Sequence, residues 1–226
     1  MKNLFLFAGH SDDRSGLALK KPVNLGEFHS TKEHDVCWAF KEEVIRQLKA
    51  EAVLEENNEH GGVKLTFGPG DITLYTDSRH DNNVDVTAHV NRIPPTGNGD
   101  LAIEFHVNSG GGVAQGPQVY VHDNTGKANR ELAKRGVEAL ARMMGYPEHK
   151  PGQFTKWTGV RNESTTFHGS IWFLSRTKVP AQLYELFFGD NEAEINRYDE
   201  VVNGDPKWKQ VARSFAMFLV DELTNG

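Results

Sequence analysis

The sequence predicts a single α/β domain built on a mostly parallel, twisted sheet with helices on both faces. Three observations carry that expectation. Leu4 to Ala8 is a nearly continuous apolar run that stops at Gly9, the pattern of a strand buried on both sides of a parallel sheet. Leu101 to Val107 repeats it. Between them, from Glu33 to about Ala52, Val36, Phe40, Val44 and Leu48 recur every four positions and line one face of a helix. A chain of 226 residues can build one such core and leaves little room for a second.

The elements follow in order. Lys2 to Ala8 reads as a mature strand, with His10 just past its carboxyl end. Ser30 followed by Glu33 fits a capping box that would satisfy the first free amides of the next helix. Glu55 to Gly70 is polar and glycine-rich, hence loop, except that Val63 to Phe67 and Ile72 to Tyr75 read as strands around Gly68-Pro69-Gly70. Asp85 to Arg92 reads as a short helix that must stop before Pro94 and Pro95. After the Leu101 to Val107 strand come the glycines Gly110 to Gly112, then a short strand at Val119 to Val121.

Asn129 to Met144 places Leu132, Val137, Leu140 and Met144 at near-helical spacing, and Gly145 supplies a stop. Pro147 to Thr166 has no periodicity, and its Phe154 and Trp157 suggest a surface loop lining a groove. Ile171 to Leu174 and Gln182 to Phe187 are expected to be the last strands. Pro206 opens a terminal helix whose buried stripe is Trp208, Val211, Phe215, Leu219 and Leu223.

Composition narrows the function. Hydrophobic residues are 38% and charged ones 25%, as in folded globular chains, and no apolar run approaches the ~20 residues needed to span a bilayer. The net charge is -6 and the 25 lysines and arginines are scattered, so a nucleic-acid partner is not expected. The apolar start is too short before the charged stretch Asp12 to Arg14, and is followed by no small-residue cleavage site, so it does not read as an export signal. Cys37 is the only cysteine and has no internal disulfide partner, which fits synthesis in a reducing cytoplasm.

Two histidines fall where open α/β sheets bind ligands: His10 and His106 stand at the carboxyl ends of predicted parallel strands. Glu33 opens a helix between them, and two imidazoles with one carboxylate are a known zinc set. Local sequence alone does not separate this from core histidines bonded to backbone carbonyls, and for Glu33 the capping box is a complete explanation.

Taken together, four ordered motifs go further. Phe7-Ala8-Gly9-His10, Glu33-His34-Asp35-Val36, Phe105-His106-Val107-Asn108, and Leu183 to Phe188 followed by Asn191 resemble the zinc-dependent N-acetylmuramoyl-L-alanine amidases of the amidase-3 family. Thr76 to Asp81 and Arg92 stand where that family has a threonine-arginine-aspartate stretch and a later arginine. The resemblance runs from about Leu4 to Asp199. It implies an α/β domain, zinc held by His10, Glu33 and His106, and Glu185 as the catalytic carboxylate. The chain departs from the pattern in two places. Ser11-Asp12-Asp13 replace glycines after His10, and Glu104 replaces a common serine on the strand face it shares with His106, where it supports His106, touches substrate or ligates in place of Glu33. His34, Asp35, His89 and His168 are expected to be mainly structural or solvated.

The implied reaction is hydrolysis of the amide between N-acetylmuramic acid and L-alanine in peptidoglycan. The alternatives are another zinc peptidase acting within peptide stems, and a catalytically silent wall-binding module. No separate wall-binding domain is evident, so a compact phage or prophage lysin, or an autolysin, is expected to reach the wall after release or delivery. The sequence leaves the oligomeric state open.

Overall fold

The computed structural model describes residues 1–12, 16–58, 60–97, 99–146 and 159–225. In chain order its elements are β1 (Lys2–Ala8), β2 (Ala18–Asn24), β3 (His29–Lys32), α1 (Glu33–Glu51), β4 (Val53–Asn57), β5 (Val63–Thr66) and β6 (Asp71–Thr76). Then come α2 (Asn83–Arg92), β7 (Leu101–Asn108), β8 (Gln118–Val121), α3 (Lys127–Met143) and β9 (Gly159–Asn162). The last are α4 (Trp172–Arg176), β10 (Ala181–Phe188), α5 (Glu192–Asp199), β11 (Val201–Val202), β12 (Asp205–Pro206) and α6 (Lys207–Thr224).

Eight strands form one sheet in the order β4-β5-β6-β1-β7-β10-β8-β9. Its centre is parallel: β6, β1, β7 and β10 all run together, which aligns their carboxyl ends along one edge. Its flanks are mixed, because β4, β5 and β6 are joined by antiparallel pairings and β8 runs antiparallel to β10. The buried central strands match the expected apolar runs, and of the outer strands β5 and β8 were also expected whereas β4 and β9 were not.

Side-chain alternation along the central strands divides the core in two. Leu4, Leu6 and Ala8 of β1 and Ile103, Phe105 and Val107 of β7 join the larger cluster, which takes in Val36, Phe40, Val44 and Leu48 of α1 and the buried stripe of α6. Phe40, Phe105 and Phe215 meet there edge to face, with centroids 5.1 and 5.7 Å apart. Each such buried aromatic stabilises by roughly 1.5–3 kcal/mol. Phe5, Phe7, Ala102, Ala181 and Leu183 point the other way, under α2 and α4. Glu104 and His106 share that second face with Ala102, and Glu185 shares it with Leu183.

Several expectations need correction. Ile171 to Leu174 is not a strand: Trp172 starts α4, and Ser175 N–H donates to Ile171 O at 2.9 Å to close the turn. An apolar run that short does not distinguish strand from helix by period. Asn162 ends a strand and Glu163–Thr165 forms a 3₁₀ turn, so the closing part of the expected loop is ordered structure. Its remainder, with Phe154 and Trp157, lies outside the described residues. The start of the expected Glu55 to Gly70 loop belongs to β4.

The capping box also fails to form. Ser30 lies within β3 and its hydroxyl donates to Asp35 Oδ2 at 2.6 Å, so Lys32, without a side-chain cap, precedes α1. The stop of α3 and the start of α6 behave as expected. Gly145 takes φ 79°, open to glycine at low cost, and Pro206 directly precedes α6.

Candidate metal centre

The backbone turns sharply where β1 ends. His10 has φ 64°, a left-handed conformation that costs a non-glycine residue of the order of 1 kcal/mol and persists only where its surroundings hold it. Here they do. Gly9 N–H donates to Phe105 O at 2.7 Å, and His34 Nδ1 lies 3.1 Å from Gly9 O. One residue earlier, Ala8 N–H donates to Asp77 Oδ2 at 3.1 Å, and Asp77 in turn takes the Lys41 ammonium at 2.6 Å with both side chains wholly buried.

Freed from capping, Glu33 reaches across the carboxyl edge of the sheet. Its Oε2 accepts from Leu17 N–H at 2.7 Å and its Oε1 from Val107 N–H at 3.0 Å. The same Oε1 lies 3.0 Å from His106 Nδ1 and 3.3 Å from His10 Nε2. One donor atom from each of His10, Glu33 and His106 therefore falls within 4.8 Å of the others. Tetrahedral zinc with bonds of about 2.0–2.1 Å holds its donors roughly 3.4 Å apart, so both the chemistry and the spacing of this trio suit that ion.

Two glycines make the close approach possible. A Cβ on Gly9 would fall 2.3 Å from the His106 ring, and one on Gly16 would fall 2.4 Å from Glu33 Oε2 and 2.5 Å from the His10 ring. Gly16 also has φ 74°, so its role is both conformational and steric.

Electrostatics tie the cluster together. Burial alone would raise the Glu33 carboxyl, but hydrogen bonds and charge from His10 and His106 hold it well below the usual carboxylate range. Burial would likewise lower His106, yet Glu104 and Glu33 hold its pKa well above the usual imidazole value. The two carboxylates thus make the His106 side of the cluster favourable for positive charge.

Glu185 and Glu104 differ from these satisfied groups. In register, Glu185 of β10 lies beside His106 of β7. Its side chain is partly open, but Oε2 is buried without a hydrogen-bond partner. Burial, reinforced by Glu33 and Glu104 against the pull of His106, pushes its pKa up to about 8. Glu104 is 0% exposed, and neither of its oxygens accepts a hydrogen bond. Its Oε2 lies 3.3 Å from His106 Nε2, an ion-pair distance without hydrogen-bond alignment.

The other candidates separate cleanly. His34 is buried and braces the turn through Gly9 O and, at 3.3 Å, Asp12 Oδ1. Asp35 pairs with Arg79 at 2.6 Å. His89 sits between the Phe7 and Tyr75 rings, its pKa lowered by burial. His168 is exposed and packs edge-on against Phe167. Sequence reasoning passed over Lys41 and Gly16. Lys41 had a signal, since it lies four residues from both Cys37 and Ile45 on the buried side of α1, where a lysine requires a partner. Gly16 had none.

Comparison with known proteins identifies the fold and the family. The family model for N-acetylmuramoyl-L-alanine amidases (Amidase_3) matches residues 4–214. The catalytic domain of the amidase CwlV from Bacillus (Paenibacillus) polymyxa var. colistinus superposes with a TM-score of 0.65 at 18% identity, covering 99% of this chain and 98% of that one. An N-acetylmuramoyl-L-alanine amidase from Clostridium difficile 630 superposes with a TM-score of 0.66 at 15% identity, covering 98% and 96%. The catalytic domain of an endolysin targeting Clostridia difficile does so at 0.52 and 14%, covering 100% and 98%. No curated protein matches the chain significantly. At these identities the structures establish a shared fold, and the family model establishes kinship: the chain belongs to the N-acetylmuramoyl-L-alanine amidase family.

Proposed function

We propose that this amidase hydrolyses the bond between N-acetylmuramic acid and L-alanine with one zinc ion held by His10, Glu33 and His106, and with Glu185 moving the proton. The observation that carries the reading is the convergence of those three donors at the carboxyl edge of the parallel strands, next to a carboxyl whose Oε2 has no partner. When bound, zinc supplies a Lewis acid that polarises the scissile carbonyl and lowers the pKa of water from 15.7 toward about 7.

The chain's own residues do the rest. Glu33 is fixed by two backbone amides, so its carboxylate is already oriented before any ligand arrives. Glu185 takes the attacking water's proton on a carboxylate oxygen and delivers it to the leaving nitrogen. Desolvation makes its ionised form a stronger base than a solvated glutamate and lets its protonated form persist until delivery.

Likeness to an endolysin's catalytic domain supports a lysin or autolysin role. Among the described residues no helix is long and apolar enough to cross a membrane.

The test is metal analysis with product analysis. Purified protein should hold close to one zinc per chain, a strong chelator should abolish wall hydrolysis, and added zinc should restore it. New L-alanine amino termini should appear as the glycan is stripped of peptide. Full activity in metal-free protein would contradict the mechanism, and cleavage inside the stem peptide would contradict the bond assignment.

A further inference from the structure

We propose that Glu104 is a positioning residue that presents Nδ1 of His106 to the metal. This rests on the zinc reading above. The imidazole of His106 is bracketed by two carboxylates, with Nδ1 3.0 Å from Glu33 Oε1 and Nε2 3.3 Å from Glu104 Oε2. A neutral imidazole has one proton and one lone pair, and a carboxylate draws the proton to the nitrogen that faces it. Glu33 belongs to the donor trio, so the carboxylate left to hold the proton is Glu104. With the proton on Nε2, the lone pair of Nδ1 faces His10 and Glu33.

The surroundings give Glu104 little else to do. Its neighbours in register are Phe7 on β1 and Leu183 on β10, both apolar. It is 0% exposed, its oxygens accept no hydrogen bond, and its one close charged partner is His106. A wholly buried carboxylate left in this state is costly for folding. The His106 ring lies so close to Gly9 that no Cβ fits there, which limits its movement. The serine implied by the family resemblance at this position is shorter and neutral, so the added charge is a feature of this chain.

The experiment compares the full chain with its Glu104→Gln variant, which keeps the side chain's size and removes its charge. Zinc affinity is read by competition with a fluorescent chelator, metal-free stability by thermal melting, and the His106 ring nitrogens by ¹⁵N NMR of the zinc-loaded protein. Glu104→Gln should bind zinc roughly 10- to 100-fold more weakly. The Nε2–H resonance should also move, as its proton loses the facing carboxylate. A merely structural role would instead lower the melting temperature and leave zinc affinity alone. Zinc affinity within twofold of the parent, with unchanged His106 nitrogens, would overturn the proposal. If Glu104→Gln does not fold, Glu104→Ser is read by the same criteria. A parent chain that binds no zinc would overturn the zinc reading and this inference with it, whereas a zinc-binding parent with an indifferent variant would overturn this inference alone.

Discussion

Two groups of buried charge flank the end of β1 and are built on opposite principles. Beneath the turn, Lys41 and Asp77 meet at 2.6 Å, and Asp77 also takes the Ala8 amide. Lys41 lies 3.3 Å from the centroid of the Trp38 ring, which adds a cation–π contact. Above the sheet edge, Glu104 accepts no hydrogen bond and Glu185 keeps one buried oxygen unpartnered, although both lie near His106. Satisfied buried charge holds a backbone in place; unsatisfied buried charge is free to engage a ligand or a proton. The first group supports the turn that carries His10, and the second is the one to which the proposed mechanism assigns the chemistry.

Removing one member from each group should therefore have opposite effects on stability. Lys41→Met strands Asp77 in the core and should cost about 3–5 kcal/mol of unfolding free energy, read by urea denaturation. It should also lower zinc content, because the His10 turn loses its support. A loss below about 1 kcal/mol would show that the pair does not hold the turn. Glu185→Gln should leave stability unchanged or raised, since it replaces a desolvated carboxyl by a neutral amide of the same shape.

The next effect is steric. Gly9→Ala places a methyl group into the His106 ring, so zinc affinity should fall roughly tenfold or more while most of the fold survives. Isothermal titration with zinc checks this, and unchanged affinity would mean that the ring has room to move. The smallest effect belongs to an ion cluster nearer solvent, between α1 and α6. Burial would raise the Glu43 carboxyl, but Arg46 and Arg213 lower its pKa below the ordinary value. Its stabilisation is thus fully present above about pH 4.3 and fades as pH falls through the folded value. Glu43→Gln should remove about 1 kcal/mol or less at pH 7 and flatten the acid limb of the stability profile. An unchanged acid limb would mean that the arginines contribute nothing there.

How much of this was legible in the sequence depends on how local each signal is. The central strands and the stripes of α1 and α6 were readable because burial imposes a period on neighbouring residues. The candidate donors His10 and His106 were readable because each stands at or near a strand end. Glu33 was a ligand candidate by its place between the two histidines, but only the motif resemblance favoured ligation, since Ser30 and Glu33 in isolation describe a helix cap. Tertiary structure drew Glu33 to Leu17 N and Val107 N instead. The strands β2, β3, β4 and β9 escaped notice because pairing partners, not their own composition, define them. For α4, four apolar residues carried no usable period. The contacts of Gly9 and Gly16 depend on side chains from other elements and were beyond any local reading.

In the proposed mechanism, ligation and proton transfer are divided between the His10–Glu33–His106 trio and Glu185. Zinc content and turnover measured side by side on Glu185→Gln test it most directly. The predicted result is close to one zinc per chain with turnover on purified peptidoglycan lowered by roughly a hundredfold or more. A Glu185→Gln protein that remains fully active, or that loses its zinc, would contradict the division.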